Sequence, residues 1–373
     1  MIKDDEHSKT VIFHRLFAYT SPGGDVMRIK DFVQVVSGFV GVLGLFFLLV
    51  PAAVVFLWGD VQDGGKAGSG GVSFADRLEV PDMVTVWLTD EEKAVKIDFE
   101  HYVCCVTASE MPAGFEKEAI KAQSVAARTY AMSRITKHGK GGPQQHLKAP
   151  LCDTTHCQVY KPEKELISIH EEGWEEKGWK KVQQACKATE GQLLYYDGKL
   201  AGQTLFFSSS GGQTENSEDV FVSAVPYLIS VSSPYEEKAT HQNEEKSFTM
   251  KEFKKKLQKA FPEEDFGAVG AGSVKVISRT AGGRVDEMQI GDVVLKGTQV
   301  RSALGLSSTL FTISFRDSDG GGTGSEAQKQ IVFTSSGSGH GVGMSQYGAD
   351  GMAKEGYNYK EILKHYYSGT EIY

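Results

Sequence analysis

The sequence of 373 residues has little cysteine, little proline and no excess of positive charge. Its five cysteines are an odd number and too few for a scaffold held together by disulfides. Forty Lys and Arg against 48 Asp and Glu give a net charge of -8, whereas proteins that bind the nucleic-acid backbone concentrate positive charge. With 40% hydrophobic and 24% charged residues, the chain is neither a disordered tail nor a polytopic membrane protein. A globular enzyme or binding protein of about two domains remains, and nucleic acid is not an expected partner.

One long apolar segment is present. Residues 32–59 contain no charged side chain and lie between Asp31 and Asp60. The segment exceeds the ~20 residues that a helix needs to cross a hydrocarbon core, and Trp58 can anchor it at the interface. A buried core helix is usually shorter and striped, and a cleaved signal peptide is shorter too and is followed by a small-residue cleavage site. We therefore expect a single membrane span.

The charges that flank this segment indicate its orientation. Arg15 and Arg28 precede the span, and fewer basic residues follow it closely. By the positive-inside rule, residues 1–31 form a cytoplasmic tail and the rest of the chain is extracytoplasmic. Residues 60–79 are rich in Gly and have the composition of a flexible linker. The globular domain is therefore expected over residues 80–373.

The globular part has the pattern of an α+β fold with mixed helices and antiparallel β-hairpins. Alanines recur at steps of three and four residues over 116–134, which predicts a helix with a narrow face deep in the fold. Further helices are predicted over 246–261 and 359–367. Hairpins are predicted over 84–99, around Asp197-Gly198 and around Gly282-Gly283. The segment from about 241 to 320 is predicted to form an inserted, second β-rich lobe.

Glu110 lies between a largely apolar run and a turn that contains Pro112 and Gly114, just before the alanine-rich helix. A carboxylate at such a place can be partly removed from water and stay protonated near neutral pH, as a general acid must. The same pattern fits a helix end that has no chemical role. Glu110 is therefore a candidate catalytic acid.

Two glycine-rich segments are candidate ligand-binding loops. Residues 208–216 combine hydroxyls and amides with two glycines, which suits a sugar or peptide ligand but also an ordinary solvated loop. Residues 337–349 contain five glycines, so their backbone can approach a ligand closely. The second segment lacks the Gly-Lys-Ser/Thr ending of a phosphate-binding loop. The candidate ligand-contacting residues in the two segments are Ser209, Ser210, Gln213, Thr214, His340, Gln346 and Tyr347.

Four segments together resemble the stage II sporulation protein D family. They are residues 108–112, 121–131, 209–215 and 339–349, in this order, and the resemblance extends from about residue 80 to the C-terminus. It implies a lytic transglycosylase of endospore-forming bacteria that cuts septal peptidoglycan between N-acetylmuramic acid and N-acetylglucosamine. The implied substrate is glycan that a partner amidase, stage II sporulation protein P, has stripped of stem peptides. The resemblance further suggests a complex with stage II sporulation proteins P and M.

The resemblance also implies roles for particular residues. Glu110 falls on the family's catalytic glutamate and Arg128 on its active-site arginine, while Thr214 and Tyr227 match cleft residues. One carboxylate suffices for this chemistry, because the sugar's own C6 hydroxyl replaces the water that ordinary glycosidases activate with a second carboxylate. Arg128 would orient Glu110 or bind substrate. A positive charge beside Glu110 would lower its pKa, so burial must outweigh that charge.

A cluster of cysteine and histidine comprises His146, Cys152, His156 and Cys157. Two thiolates and two imidazoles can bind tetrahedral zinc, although the spacing is not that of a standard zinc finger. Some members of the resembled family carry zinc near the cleft. A disulfide between Cys152 and Cys157 is the alternative in an extracytoplasmic protein. Any zinc is expected to be structural, because the implied chemistry needs no Lewis acid and no cofactor.

Two other functions are consistent with the sequence. A glycan-binding module that activates a partner amidase would not need Glu110, whereas the Ser-Glu-Met-Pro context of this residue favours the enzyme. A cell-wall peptidase that uses the Cys and His residues is a weaker alternative, because one irregular segment supplies both residue types and no third group orients the histidine. The leading hypothesis is a membrane-anchored transglycosylase whose catalytic domain faces the sporulation septum.

Overall fold

The structure is a computed structural model that describes residues 77–317 and 329–373. The predicted cytoplasmic tail, the predicted membrane span over 32–59 and most of the predicted linker lie outside these residues. Within the two described ranges, no helix is long and apolar enough to cross a membrane. The described chain mixes helices with short sheets, in agreement with the predicted α+β class.

The strands and helices follow one another in a mixed order. The strands are β1 Met83–Leu88, β2 Lys93–Asp98, β3 Leu151–Cys152, β4 Leu194–Tyr196, β5 Lys199–Leu200, β6 Phe206–Phe207, β7 Glu244–Thr249, β8 Val274–Arg279, β9 Val285–Ile290, β10 Val293–Lys296, β11 Phe311–Asp317, β12 Lys329–Ser335, β13 Met344–Ser345 and β14 Glu371–Ile372. The α-helices are α1 Phe99–Glu110, α2 Lys117–His138, α3 Glu163–Ile169, α4 Lys180–Ala188, α5 Ser217–Val220, α6 Met250–Ala260, α7 Gly297–Leu304, α8 Gln346–Lys354 and α9 Tyr359–Tyr366. A π-helical turn, Glu175–Trp179, precedes α4.

Helix α2 lies at the centre of the first hydrophobic core. It packs against α1, α4, α8 and α9, and Ala119, Ala122 and Ala126 on it are fully buried. Small side chains let neighbouring helices approach closely, which explains why this alanine-rich helix has so many neighbours. The predicted buried helix is confirmed, and it continues to His138, beyond the predicted end.

Short sheets surround this helical core. β1 and β2 form the predicted antiparallel hairpin, and β3 pairs in parallel with β1. β4 and β5 pair across Asp197 and Gly198, which both have positive φ, as a tight hairpin turn requires. β6 pairs in parallel with β13, so the chain segments that follow these two strands lie side by side.

A second hydrophobic core is formed by two three-stranded sheets, β10-β9-β8 and β11-β12-β7, together with α6 and α7. β8 and β9 form the hairpin predicted around Gly282-Gly283. β12 pairs with both β7 and β11, so the second core includes residues beyond 320. Arg284 is 1% exposed and donates a 2.8 Å hydrogen bond to the carbonyl oxygen of Ser210. This bond joins the second lobe to the 208–216 segment.

The prediction of a helix over 246–261 is wrong at the start of the helix. Residues up to Thr249 form β7, in which Phe248 faces the second core. The helix begins at Met250, because Thr249 and Glu252 form a capping box. The Glu252 N–H donates to the Thr249 hydroxyl at 3.2 Å, and the Thr249 N–H donates to the Glu252 carboxylate at 3.0 Å.

Candidate active site

Glu110 is the last residue of α1, and the chain turns away from the helix through Met111 and Pro112. Its side chain is half-buried. The backbone N–H of Val159 donates a 2.6 Å hydrogen bond to Glu110 Oε1. Over the part of the chain that the structure describes, this carboxylate has no second hydrogen-bond donor and no ion-pair partner.

The surroundings of Glu110 change its acidity. Burial raises the pKa of the Glu110 carboxyl, and the hydrogen bond from Val159 opposes this rise without cancelling it. The protonated form therefore persists to a higher pH than in an exposed glutamate. This is the property that a general acid needs.

Two other segments singled out in the sequence meet at the backbone of Glu110. Nε2 of Gln346, at the start of α8, donates a 2.9 Å hydrogen bond to the Glu110 carbonyl oxygen and lies 3.4 Å from Oε1 of Gln123 on α2. The ring of the neighbouring Tyr347 packs edge-on against Phe115, with 4.9 Å between centroids. Of the predicted ligand-contacting residues, Gln346 and Tyr347 are therefore the two that lie in the Glu110 region.

Sequence reasoning missed two contributors to this site. Gln123 is fully buried between α2 and α8, and its position within the 121–131 segment was the available signal. Val159 carried no signal, because it acts through a backbone N–H that every residue except proline possesses.

The four predicted metal ligands lie together beside β3. The ligand atoms of His146, Cys152, His156 and Cys157 are all within 4.8 Å of one another. Nδ1 of His146 is 2.8 Å from the carbonyl oxygen of Ala149, which leaves Nε2 facing the cluster, 3.4 Å from Cys157 Sγ. Cys152 and Cys157 are free thiols in the structure and do not form the alternative disulfide.

The chemistry of this cluster fits zinc. Two sulfurs and two imidazole nitrogens are a common tetrahedral set, and a backbone carbonyl on the outer nitrogen of His146 fixes the tautomer that a ligand needs. A hydrogen bond from the Cys157 thiol lowers the pKa of the Cys152 thiol, which favours the thiolate form that a metal ligand needs.

Arg128 does not lie beside Glu110, in contrast to its predicted role. It is fully buried and forms a two-pronged ion pair with Glu100, at 2.7 Å from Nε to Oε1 and 2.6 Å from Nη2 to Oε2. Glu100 and Glu110 are at opposite ends of α1, about 15 Å apart along a helix with a rise of 1.5 Å per residue. The backbone N–H of Gly191 also donates to Glu100, at 3.1 Å. Arg128 thus ties α2 to the far end of α1.

Ser209 and Ser210 are fully buried, which corrects the expectation of a ligand-binding or solvated loop. Ser209 exchanges backbone hydrogen bonds with Ser338. The N–H and the hydroxyl of Ser210 donate to the buried carboxylate of Glu236 at 2.8 and 2.9 Å, and the N–H of Gly211 donates at 3.1 Å. Ser210 therefore helps to hold Glu236, and Ser209 pairs with the 337–349 segment through Ser338.

The other predicted ligand residues also direct polar groups to partners within the protein. These bonds run from Gln213 Nε2 to Ser230 Oγ (2.9 Å), from the Val231 N–H to Thr214 Oγ1 (2.8 Å), from the Gln203 N–H to the Tyr227 hydroxyl (2.8 Å) and from the Val342 N–H to His340 Nδ1 (3.1 Å). Burial lowers the pKa of His340 to about 4, so its imidazole is neutral at neutral pH. The described contacts do not connect these residues with Glu110.

Comparisons with known proteins cover most of the described chain. The family described as Stage II sporulation protein matches residues 89–196, a range that includes Glu110 and the whole Cys/His cluster. A domain of unknown function matches residues 225–343, which include most of the second core.

Curated relatives match over a longer range. The chain is 39% identical to stage II sporulation protein D of Bacillus subtilis (strain 168) over 293 residues, which are 78% of this chain and 79% of that protein. It is 38% identical to the protein of the same name from Bacillus amyloliquefaciens over 295 residues, 79% of each chain. It is also 29% identical to the amidase enhancer of Bacillus subtilis over 312 residues, 72% of this chain but 39% of that protein.

Proposed function

The chain belongs to the stage II sporulation protein D family, and on this premise we propose that it is a peptidoglycan lytic transglycosylase with Glu110 as its catalytic acid. The observation that carries the proposal is the state of Glu110. It is half-buried, its pKa is raised by that burial, and a single backbone N–H is its hydrogen-bond donor within the described chain.

The proposed reaction uses this one carboxyl group twice. The protonated Glu110 gives its proton to the glycosidic oxygen, and the bond between this oxygen and C1 of N-acetylmuramic acid breaks. The resulting carboxylate then accepts the proton of the C6 hydroxyl, whose oxygen bonds to C1 and closes a 1,6-anhydro ring. No water enters the products, so a second carboxylate to activate water is not needed.

The proposed substrate is a glycan strand without stem peptides, during remodelling of the sporulation septum and engulfment. Gln346 and Tyr347 are the sugar-contacting candidates that lie close to Glu110. The proposed partners are stage II sporulation proteins P, an amidase, and M, on the outer face of a membrane that residues 32–59 cross once.

His146, Cys152, His156 and Cys157 are proposed to hold one structural zinc ion. Bound there, zinc would supply cross-linking of an irregular segment that has little regular secondary structure. We expect about one zinc per purified chain by elemental analysis, and loss of zinc together with a lower melting temperature in Cys152→Ser. Full zinc binding by Cys152→Ser would contradict this assignment.

A second candidate function comes from the similarity to a protein named amidase enhancer. In this alternative, the protein binds glycan and stimulates an amidase without cutting the strand. The carboxyl chemistry of Glu110 favours the enzyme, because a binder gains nothing from an acid with a raised pKa.

Product analysis separates these candidates. The full chain should be incubated with intact peptidoglycan and with peptidoglycan pretreated with an amidase, and the soluble products identified by mass spectrometry. The proposal predicts anhydromuramyl ends from the pretreated material only. Reducing ends would indicate hydrolysis, and faster peptide release by an added amidase without strand cleavage would support the enhancer.

A further inference from the structure

The N–H group that donates to the Glu110 carboxylate is that of Val159, which belongs to a tight loop. The Tyr160 N–H donates to the Asp153 carbonyl oxygen at 3.1 Å, and the Cys157 N–H donates to that of Thr154 at 3.0 Å. Val159 lies near the end of this loop, two residues beyond the last residue of the Cys/His cluster. The Tyr160 bond attaches the chain just after Val159, and a second attachment just before Val159 would hold its N–H in line with Glu110.

Gln158 supplies this second attachment. It is 2% exposed, and its Nε2 donates a 3.3 Å hydrogen bond to the carbonyl oxygen of Ala127, in the middle of α2. The atom that faces a carbonyl oxygen must be the amide nitrogen, so the orientation of this amide is defined by its partner. Helix α2 also carries Gln123, which meets Gln346 beside the Glu110 backbone. The loop and the end of α1 that carries Glu110 are thus both attached to α2.

We infer that Gln158 is a positioning residue: by fixing the loop to α2, it holds the Val159 N–H on the carboxylate of Glu110. This inference rests on the proposed function, because it concerns the same carboxyl group. It assigns to Gln158 a role separate from that of the metal ligands, which constrain the loop only as far as Cys157.

The hydrogen bond from Val159 affects the pKa of Glu110, because few other groups act on this carboxyl. The groups bonded to Glu110 from α8 and the loop, Gln346 and Val159, are uncharged. Within the described residues, no titratable side chain is hydrogen-bonded or ion-paired to the Glu110 carboxylate, and its pKa is shifted by burial and by the Val159 N–H. The N–H of Val159 is therefore the group that favours the ionised form. Removing it must raise the pKa of Glu110 further.

The test uses the full chain with Gln158→Met, which keeps the length of the side chain and removes its amide. The matched control is Gln289→Met, because Gln289 makes the same kind of bond, to the Gly291 carbonyl oxygen in the second core, at 3.1 Å. The measurement is the pH profile of anhydromuramyl release from amidase-treated glycan, with zinc content determined in parallel.

The alkaline limb of this profile reports loss of the acid's proton. We expect Gln158→Met to lower kcat and to move this limb upward by about one pH unit, the size expected for loss of one hydrogen bond to a charged group. Gln289→Met should keep the wild-type limb. An unchanged limb in Gln158→Met, with or without lower activity, would show that Gln158 is merely structural and would overturn the inference.

A second readout does not depend on activity. The free energy of unfolding is measured against pH in pairs of chains with Glu110 and with Glu110→Gln, since the difference within a pair levels off at the pKa of folded Glu110. This levelling should occur at a higher pH in the Gln158→Met pair than in the wild-type pair, and equal values would refute the inference. If wild type cleaves no glycan at any pH, the proposed function fails while this readout still decides the role of Gln158. Should Gln158→Met not fold, Val159→Pro removes the N–H itself and must shift both readouts in the same direction.

Discussion

Glu110 and Glu236 are two carboxylates held by the segments that stand out in the sequence, and their surroundings are opposite. Glu236 is 6% exposed and accepts hydrogen bonds from the N–H and hydroxyl of Ser210, the N–H of Gly211 and the hydroxyls of Ser233 and Ser345. Glu110 is more exposed and accepts one hydrogen bond, from Val159.

The difference separates a structural carboxylate from a reactive one. Every lone pair of Glu236 accepts a hydrogen bond, so its position is fixed. Glu110 is desolvated without such compensation, so it favours the neutral acid and keeps an oxygen that can meet a substrate. The carboxylate of Glu100, at the other end of α1, is likewise held by several donors, which are the guanidinium of Arg128 and the N–H of Gly191.

The largest effect on stability is expected from removing the ion pair between Arg128 and Glu100. Arg128→Met leaves this carboxylate without its buried partner and should reduce the free energy of unfolding by about 3 kcal/mol. The control is Arg316→Met, because the pair of Arg316 with Glu245 is exposed to solvent and should contribute much less to stability. Chemical denaturation measures both. If Arg128→Met kept full stability but displaced the alkaline limb of cleavage, Arg128 would belong to the active site after all.

The next effect is expected at Glu236. In Glu236→Gln, an amide NH₂ replaces an acceptor oxygen and faces the donors of the Ser210 loop, which should cost about 2 kcal/mol of unfolding free energy. The substitution should leave the pH profile of cleavage unchanged in the folded fraction. If Glu236→Gln abolished cleavage at full stability, Glu236 would not be a purely structural carboxylate.

The smallest effect is expected from Glu110→Gln on stability. A glutamate whose folded pKa is raised loses stability as the pH rises from its unfolded pKa through its folded pKa. Glu110→Gln lacks this loss, so it should be more stable than wild type at neutral pH and equally stable in acid. Denaturation at several pH values measures the difference, with the exposed Glu172→Gln as the control. Greater stability of the wild type at neutral pH would mean that Glu110 is not a desolvated acid.

Local signals in the sequence predicted local structure. The alanine spacing of α2 and the Asp197-Gly198 turn depend on neighbours within a few residues, so they could be read directly. The partial burial of Glu110 also followed from the Pro/Gly turn beside it. The start of α6 was within reach too, because Thr249 and Glu252 have the spacing of a capping box.

Contacts between distant residues were not predictable in the same way. Ser210 and its acceptor Glu236 are 26 residues apart, and Arg128 and Glu100 are 28 residues apart. A Ser/Gly run has the same composition whether it meets solvent, a ligand or a buried carboxylate. An arginine in a helix likewise does not reveal which of several glutamates it will pair with.

The central claim, that Glu110 is the catalytic acid, is tested most directly by cleavage of amidase-treated glycan strands by Glu110→Gln. The measured quantity is the rate of anhydromuramyl release, with strand binding determined in the same preparation. We predict that the rate falls at least about a hundredfold, the usual contribution of a general acid, while binding is retained. Release within a few-fold of the wild-type rate would contradict the account and place the acid elsewhere.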